Sequence, residues 1–428
     1  MDIESIYGKY LACGGRVTTD SRTIQGGELF IALKGENFDG NRFVPQALAA
    51  GAAYAVASRD AGLDPDPRII EVEDTYQALK ELALYHRRQL TIPVLGLTGT
   101  NGKTTTKEMI RTALGAKYRV CATEGNLNND IGVPLSLLKI RPETEIAVIE
   151  MGANHPDDIA HLVAIAEPDC GLITNVGRAH LLGFGSFEGV KRAKGQLYDW
   201  LAAREGTVFL NADSSDLREM ASSRPGLSIV PYGVAYDHVR ILPTTAENPF
   251  LGLEYEGLTV QTRLVGAYNA DNVLAALCIA RHFDVPVEDA AAAIAAYVPS
   301  NNRSQMLRTE RNTLIVDAYN ANPSSMAAAL RNFAALQASP KIALLGDMRE
   351  LGEESRAEHA RIVDLLVAEG LDARLVGAEF AAVADGRFPT YESAEALAAW
   401  LQEHPVSGAT LLVKGSRGIT MEKVIPVL

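Results

Sequence analysis

The stretch from Gly96 to Lys107, GLTGTNGKTTTK, constrains this chain more than any other. An apolar run, Ile92-Pro93-Val94-Leu95, leads into it, and a helical pattern from Thr104 to Leu114 leads out, so the glycines fall on a strand-to-helix turn. That is the context in which such a loop cradles phosphate. Gly99 and Gly102 let the backbone approach phosphate oxygens, while the free N–H groups and positive dipole end of the new helix face the anion. Lys103 supplies a point charge for the outer phosphates, and the Thr104 hydroxyl suits Mg2+. Thr100, Asn101 and Thr105 complete the expected nucleotide contacts of the loop. One position departs from the strict spacing G-x-x-x-x-G-K, which asks for glycine at 97 and finds Leu97.

The sequence around the loop alternates strand and helix. Strands are predicted at 92–97, 118–122, 146–149 and 172–175, nearly continuous apolar runs of the kind covered on both faces in a parallel sheet. Ligands of such sheets gather at the carboxyl ends of the strands. Glu150 ends the strand IAVIE and His180 follows GLITNV by a few residues, which places an acid suited to a metal and an imidazole suited to a second ligand or orienting role on the rim that bears the loop. A helix over 186–201 carries Lys191, Arg192 and Lys194, with Lys191 read as part of a solvated basic face. A strand at 208–211 and a hairpin over 251–265 follow, and then Gly266 to Asn272 opens another helix. Asn269 and Asn272, three apart, can share one side of it and read the edge of an adenine, although N-capping explains one of them equally well.

With 428 residues the chain is too long for one domain, and roughly three are expected from typical domain sizes. Before the loop lie short strands near 28–33, 54–57 and 69–72 and helices over 43–50 and 76–88. Two clusters there, Asp20-Ser21-Arg22 and Phe38-Asp39-Gly40-Asn41, offer groups suited to phosphate or sugar, but capping or turn roles explain them as well. A polar turn, Pro299-Ser300-Asn301-Asn302, closes the central part. Beyond it the alternation resumes, with strands at 313–317, 341–345, 374–376 and 411–414, separated by helices over 324–336, 355–368 and 394–404. Polar groups follow three of those strands: Asp317 with Tyr319 to Pro323, Gly346-Asp347, and Lys414 to Arg417. They make a second binding rim opposite the nucleotide. The predicted division is 1–90, 91–300 and 301–428. The fold class is α/β: a small α/β N-terminal domain, a central phosphate-loop domain with a mostly parallel sheet, and a Rossmann-like C-terminal domain.

A formal net charge of −13 argues against nonspecific nucleic-acid binding. The four cysteines lie far apart with no C-x-x-C, so neither a disulfide framework nor a zinc site is expected, which fits a reducing cytoplasm. No window is apolar and long enough for a membrane span, and MDIESIYGKY lacks the apolar core of a signal peptide.

Several segments together, TGTNGKTT, EMGANHP, NVGRAHLLGFGSFEGVKRAKGQL, GAYNADN, DAYNANPSSM, LGDMRELG and KGSRGITME, resemble the Mur ligase family, over nearly the full chain from about Asp20 to about Glu422. DAYNANP, LGDMRELG and KGSR are far more specific than the loop. The resemblance implies an N-terminal domain for a UDP-sugar, a central ATPase domain and a C-terminal domain that closes over the nucleotide. It also implies ATP and Mg2+ as cofactors, and ligation of D-alanyl-D-alanine to UDP-N-acetylmuramoyl-tripeptide through an acyl phosphate in peptidoglycan precursor synthesis. A monomer with small-molecule partners is expected.

By the same resemblance, Lys103 and Thr104 bind ATP phosphate and Mg2+, Glu150 and His180 complete the metal sites, and Asn269 and Asn272 face adenine. Arg303 and Asp317 reach phosphate and ribose from the third domain, while Ser21, Arg22 and Asn41 match the UDP-sugar side. Asn320, Asn322 and Lys414 fall among the substrate contacts. In several relatives a lysine matching Lys194 is carbamylated by CO2. The family often has histidine at Asn41, glycine at Asn302 and an acid at Val316. Folylpolyglutamate synthase shares this chemistry and a non-catalytic nucleotide switch shares the loop; DAYNANP and KGSR favour the muramoyl enzyme.

Overall fold

The computed structural model describes residues 2–35, 38–245, 248–300 and 302–428. Asn301, in the predicted boundary turn, lies outside the described residues. The phosphate loop sits in a six-stranded sheet whose order is Ser228–Tyr232, Thr207–Asn211, Cys170–Ile173, Val94–Thr98, Ile146–Glu150 and Val120–Ala122, parallel throughout. Val94–Thr98 and Ile146–Glu150 are buried at every position, as their unbroken apolar character requires. One face packs on helices Thr75–Gln89, Asp158–Ala166 and Phe187–Ala202 through residues such as Leu82, Leu162 and Leu197. The other packs on Lys103–Leu114 and Ala270–His282 through Met109, Ile110, Val273 and Leu277. Each such side chain contributes about 1.5–3 kcal/mol by leaving water.

The chain leaves Val94–Thr98 for the edge strand Val120–Ala122, returns to pair Ile146–Glu150 with the first strand, and then crosses to its other side at Cys170–Ile173. Leu97 is thereby in register with Glu150, and Thr98 with Ile173. This reversal of direction crowds three strand ends around the loop, where a ligand has room between diverging connections.

The N-terminal sheet is a smaller parallel one, ordered Val17–Thr18, Leu29–Ile31, Tyr54–Ser58 and Ile69–Val72. Helix Thr75–Gln89 joins it to the centre and starts on an Asp74 cap, whose carboxylate accepts from the backbone N–H groups of Tyr76 and Gln77. The predicted hairpin forms as Phe250–Tyr255 and Leu258–Val265, with Arg240–Ile241 added at its edge.

The third sheet is ordered Gln305–Arg308, Thr313–Asp317, Thr410–Lys414, Lys341–Gly346, Asp372–Val376 and Thr390–Tyr391. Its first strand runs antiparallel and the rest are parallel. Asp317 and Lys414 are direct register partners at the rim. Val316, where the family often has an acid, is fully buried in the apolar layer of this sheet. Asn302 adopts φ +50, a left-handed conformation that asparagine tolerates and glycine favours, so the departure there keeps the backbone path. Among the described residues the four cysteines are free, and no helix is long and apolar enough to cross a membrane.

Arg87 ties the N-terminal helix to the central sheet. Its Nε donates to the Ala166 carbonyl at 2.9 Å, and its Nη2 to the Glu167 carbonyl at 2.7 Å and to Asp169 Oδ2 at 3.0 Å. The guanidinium thus satisfies the end of helix Asp158–Ala166. Replacing it by alanine leaves the buried Ala166 carbonyl unpaired and removes its bonds to Glu167 and the half-exposed Asp169, and Arg87→Ala should destabilise the folded chain by about 1–3 kcal/mol, read as a lower urea midpoint.

Candidate active site

The loop is shaped by two glycines and held from the next strand. Gly99 has φ +149, and a Cβ there would lie 1.9 Å from Thr174 Oγ1; Gly102, at φ +77, precedes helix Lys103–Leu114. Leu97 lies inside the strand, fully buried. The backbone freedom is therefore needed at 99 and 102 and not at 97. Asn175 Oδ1 accepts from the Asn101 N–H at 2.9 Å, and Thr174 Oγ1 donates to the Asn101 carbonyl at 2.7 Å. Lys103 Nζ donates to the carbonyls of Gly99 at 2.9 Å and Thr100 at 3.2 Å.

Glu150 stands at the bottom of the site, fully buried. Its Oε1 accepts from Thr104 Oγ1 at 3.2 Å and from Asn128 Nδ2 at 2.8 Å, while Oε2 has no hydrogen-bond partner. A buried carboxylate oxygen left unpaired is costly unless a cation or donor meets it. Among the described residues no group of three His, Cys, Asp or Glu side chains could hold a metal alone. The donor set here, one carboxylate oxygen beside a threonine hydroxyl at a phosphate loop, fits a hard cation shared with phosphate oxygens. Asn128 was missed from sequence; the run Asn126-Leu127-Asn128-Asn129, just beyond the edge strand's carboxyl end, was the available signal.

Lys103 acts on this carboxylate, and on His180 and Lys194 in turn. Burial pulls Lys103 below the ordinary lysine value, with Glu150 acting to raise it and Arg303 to lower it further. Lys194 is only 2% exposed and is pulled well down by burial first and by the Lys103 charge second. Its nearest described partner is the ring of Phe184, 5.8 Å from Nζ, and among the described residues no acceptor bonds its ammonium. His180 is lowered by burial, against the opposing effect of Glu350, with Lys103 and Lys194 adding to the depression. It therefore sits as a neutral ring.

The third sheet supplies the facing wall. Arg303 stacks 3.6 Å above the Tyr319 ring centroid, and its buried Nε has no hydrogen-bond partner. Lys414 Nζ donates to Asp317 Oδ2 at 2.5 Å and to the Asn320 carbonyl at 3.3 Å. Asn322 caps helix Pro323–Ala335, and its Nδ2 donates to Asn101 Oδ1 at 2.7 Å, while Asn101 Nδ2 donates to Ser324 Oγ at 2.9 Å. The tip of the phosphate loop is thus bonded directly to the third sheet's helix. Asn272 Nδ2 donates to Asn269 Oδ1 at 2.8 Å, and Asn272 Oδ1 accepts from Thr106. Neither side chain caps the helix, so the capping alternative is not used.

The loop, Glu150, Asn128, His180, Asn269, Asn272 and the third-sheet groups line one cavity of about 830 Å³, which also takes in Thr100, Thr105 and Asn320 and extends to Tyr76 and Lys80 of helix Thr75–Gln89; Lys194 is not among its lining residues. There Tyr76 donates to Asp130 at 2.7 Å and Lys80 lies 4.1 Å over the Tyr76 ring. Ser21, Arg22 and Asn41 do not line it. Arg22 is exposed and clasps Asp20 in a two-pronged pair that holds that carboxyl down to about 2. Asn41 is buried and spends its amide on Asp39 and on Ser58, accepting from the Ser58 N–H at 2.9 Å. Lys191 pairs with Glu188, Asp216 and Glu219. Asp347, one of the three predicted rim clusters, accepts from the backbone N–H groups of Glu379 and Phe380. It braces the third sheet and does not line the cavity.

Known proteins match the chain along its whole length. Three family models match in turn: "Mur ligase family, catalytic domain" over residues 16–89, "Mur ligase middle domain" over 97–280, and "Mur ligase, glutamate ligase domain" over 302–417. The UDP-N-acetylmuramoyl-tripeptide–D-alanyl-D-alanine ligase of Escherichia coli (strain K12) is 37% identical over 96% of this chain and 93% of its own length. That of Bacillus subtilis (strain 168) is 34% identical over 96% and 92%. Among solved structures, MurF from Acinetobacter baumannii superposes with a TM-score of 0.84 at 33% identity, covering 96% of this chain and 92% of its own. A Mycobacterium tuberculosis folylpolyglutamate synthase, at 15% identity and a TM-score of 0.62 over 82% of this chain and 94% of its own, shares the fold alone.

Lys194 generates a pH prediction. Its folded value lies below its unfolded one, so between the two the unfolded chain binds more protons and stability rises with pH. At neutral pH the site therefore disfavours the folded state. In CO2-free buffer Lys194→Met should melt at a higher temperature than the parent protein at neutral pH, and the difference should shrink as the pH rises toward the ordinary lysine range. Equal melting temperatures at neutral pH would show that the ammonium is not strained by burial.

Proposed function

The chain belongs to the Mur ligase family, and from that premise we propose that it is the ATP-dependent ligase that joins D-alanyl-D-alanine to UDP-N-acetylmuramoyl-tripeptide in peptidoglycan precursor synthesis. Relatives bearing that name align over nearly their full length. The observation that carries the reading in chemical terms is the single cavity that runs from the phosphate loop to Tyr76 and Lys80. A nucleotide switch needs only the first end, whereas a ligase needs room beside the phosphates for a carboxylate and an amine.

The sheets support a division of labour near residues 90 and 300. Residues 1–90 take the UDP-sugar, with Ser21 and Arg22 on the exposed turn and Asn41 bracing its own; residues 91–300 take ATP; residues 301–428 close over it. A carboxylate repels nucleophiles and has no adequate leaving group, so it must first be phosphorylated. Lys103 and the N-terminal N–H groups of helix Lys103–Leu114 hold the outer phosphates and oppose the charge that builds as the phosphoryl group transfers. Arg303, with its unspent Nε, adds a second cation from the third domain. Thr104, Glu150 and His180 would hold Mg2+, which when bound neutralises phosphate charge. Asn269 and Asn272, fixed by their mutual bond, face the adenine, Asp317 with Arg303 addresses ribose and phosphate, and Lys414, bonded to Asp317, lies on the substrate side. Asn320 and Asn322 contact substrate. The amine of D-alanyl-D-alanine then attacks the acyl carbon, and the tetrahedral intermediate expels phosphate. The substrates are small molecules of the cytoplasm, and a monomer suffices.

Lys194 has the surroundings that favour a neutral amine. Its nitrogen can add to CO2, forming an N–C bond and releasing one proton. The resulting carbamate places negative charge and two oxygens near Lys103 in place of a second cation.

Purified protein should release phosphate and ADP only when both UDP-N-acetylmuramoyl-tripeptide and D-alanyl-D-alanine are present. Turnover with either alone would overturn the assignment. Lys103→Ala should lower that rate by at least about 100-fold, the order expected for losing a preorganised charge, without altering the far-ultraviolet circular dichroism. Lys194→Ala should be nearly inactive and partly recovered by acetate, and native mass spectrometry of bicarbonate-equilibrated protein should show the added CO2. An unmodified mass together with no acetate recovery would remove the carbamate.

A further inference from the structure

His180 touches the third sheet through one side chain. Its buried Nδ1 lies within ion-pair reach of the Glu350 carboxylate, without the alignment of a formed hydrogen bond, and Glu350 belongs to the segment LGDMRELG after strand Lys341–Gly346. Both residues have left-handed backbones, φ +52 at His180 and φ +65 at Glu350, and neither is glycine. Such conformations are disfavoured for residues with a Cβ and persist where surrounding structure holds them. Here it does. The Met348 N–H donates to His359 Nε2 at 3.0 Å, His359 Nδ1 lies 2.7 Å from the Ser355 carbonyl, and the Arg349 N–H donates to Ser416 Oγ at 2.9 Å. His359 is fully buried. Beside the pair, Leu182, 73% exposed, lies so close to Gly352 that a Cβ there would be 3.3 Å from its Cδ1. The turn bearing Glu350 is therefore rigid, and it meets the segment bearing His180 in more than one place.

We propose that Glu350 is a positioning residue for His180: its carboxylate accepts the proton-bearing Nδ1–H, fixes one tautomer of the ring, and so leaves the lone pair on Nε2. A neutral imidazole has one donor and one acceptor nitrogen, and the partner of the first decides the role of the second. Because Glu350 comes from the third sheet and His180 from the central one, the ring is set only while the two are docked. The inference rests on reading His180 as part of the ligase site, but the state of the ring can be measured without turnover.

Full-length protein labelled with 15N-histidine tests it, with His180→Gln identifying the signals of that ring among the eight histidines of the chain. The expected result is the Nδ1–H tautomer in the parent protein, a shift toward Nε2–H or a mixture in Glu350→Ala, and retention in Glu350→Gln, whose amide oxygen can still accept. Glu350→Gly relieves the left-handed backbone while deleting the carboxylate, so it should fold and shift the ring as Glu350→Ala does. In the ligation assay Glu350→Ala and Glu350→Gly should lose about 10–100-fold in kcat at nearly constant KM for ATP, with Glu350→Gln intermediate. A parent ring in the Nε2–H form, or signals and kcat unchanged in Glu350→Gly, would overturn the proposal. If the parent protein shows no ligation while the tautomer behaves as expected, the functional reading fails and the positioning role stands.

Discussion

The site depends on a buried carboxylate that is only half satisfied. Glu150 has one oxygen held by two donors, Thr104 and Asn128, while its other oxygen, buried and without a partner, calls on the surroundings for positive charge. Lys103 answers that demand from the loop. The support extends further down: the Glu150 N–H donates to Thr123 Oγ1 at 3.0 Å, and the Thr123 carbonyl accepts from the fully buried Lys107 at 2.5 Å. The last residue of the motif therefore secures the acid that the earlier residues surround.

Much of this was legible in the sequence because it rests on local rules. Continuous apolar runs gave central strands to within two or three residues, and the strand, glycines and lysine gave the loop. Two edge strands were not legible. Ser228–Tyr232 carries a proline in its apolar stretch and Gln305–Arg308 has polar residues at both ends; both are partly exposed, and each exists because a neighbouring strand offers hydrogen bonds. Contacts made by chain distant in sequence were also hidden. Nothing near Glu350 reveals that it meets His180, and the asparagine run around Asn128, though a signal of a site, does not reveal which acid it supports. The opposite failure occurs at Asn41, where side-chain chemistry suited to a ligand is consumed by neighbours a few angstroms away.

Charge in the cavity is arranged by burial as much as by pairing. Three potential cations, Lys103, His180 and Lys194, are each lowered first by desolvation; the Lys103 charge adds to the depression of His180 and Lys194, and Arg303 adds to that of Lys103. Of the three, Lys103 is the one that Glu150 acts to raise, and Arg303 faces it from the other wall. A negatively charged nucleotide entering such a space meets fixed donors and needs little reorganisation of the protein.

The bonds between Asn101 and the helix cap formed by Asn322 and Ser324 carry a consequence for turnover. They join neutral groups near the surface, and water can replace each of them at a net difference of only about 0.5–1.5 kcal/mol. Two such bonds bias an equilibrium between docked and separated walls by roughly a factor of ten to a hundred, far short of a lock. They serve as registration marks: they decide where the third sheet lands on the loop, and they leave the decision to stay there to whatever bridges the two walls. An enzyme built this way can release spent nucleotide without breaking anything expensive, and it finds the same alignment again when the next one arrives.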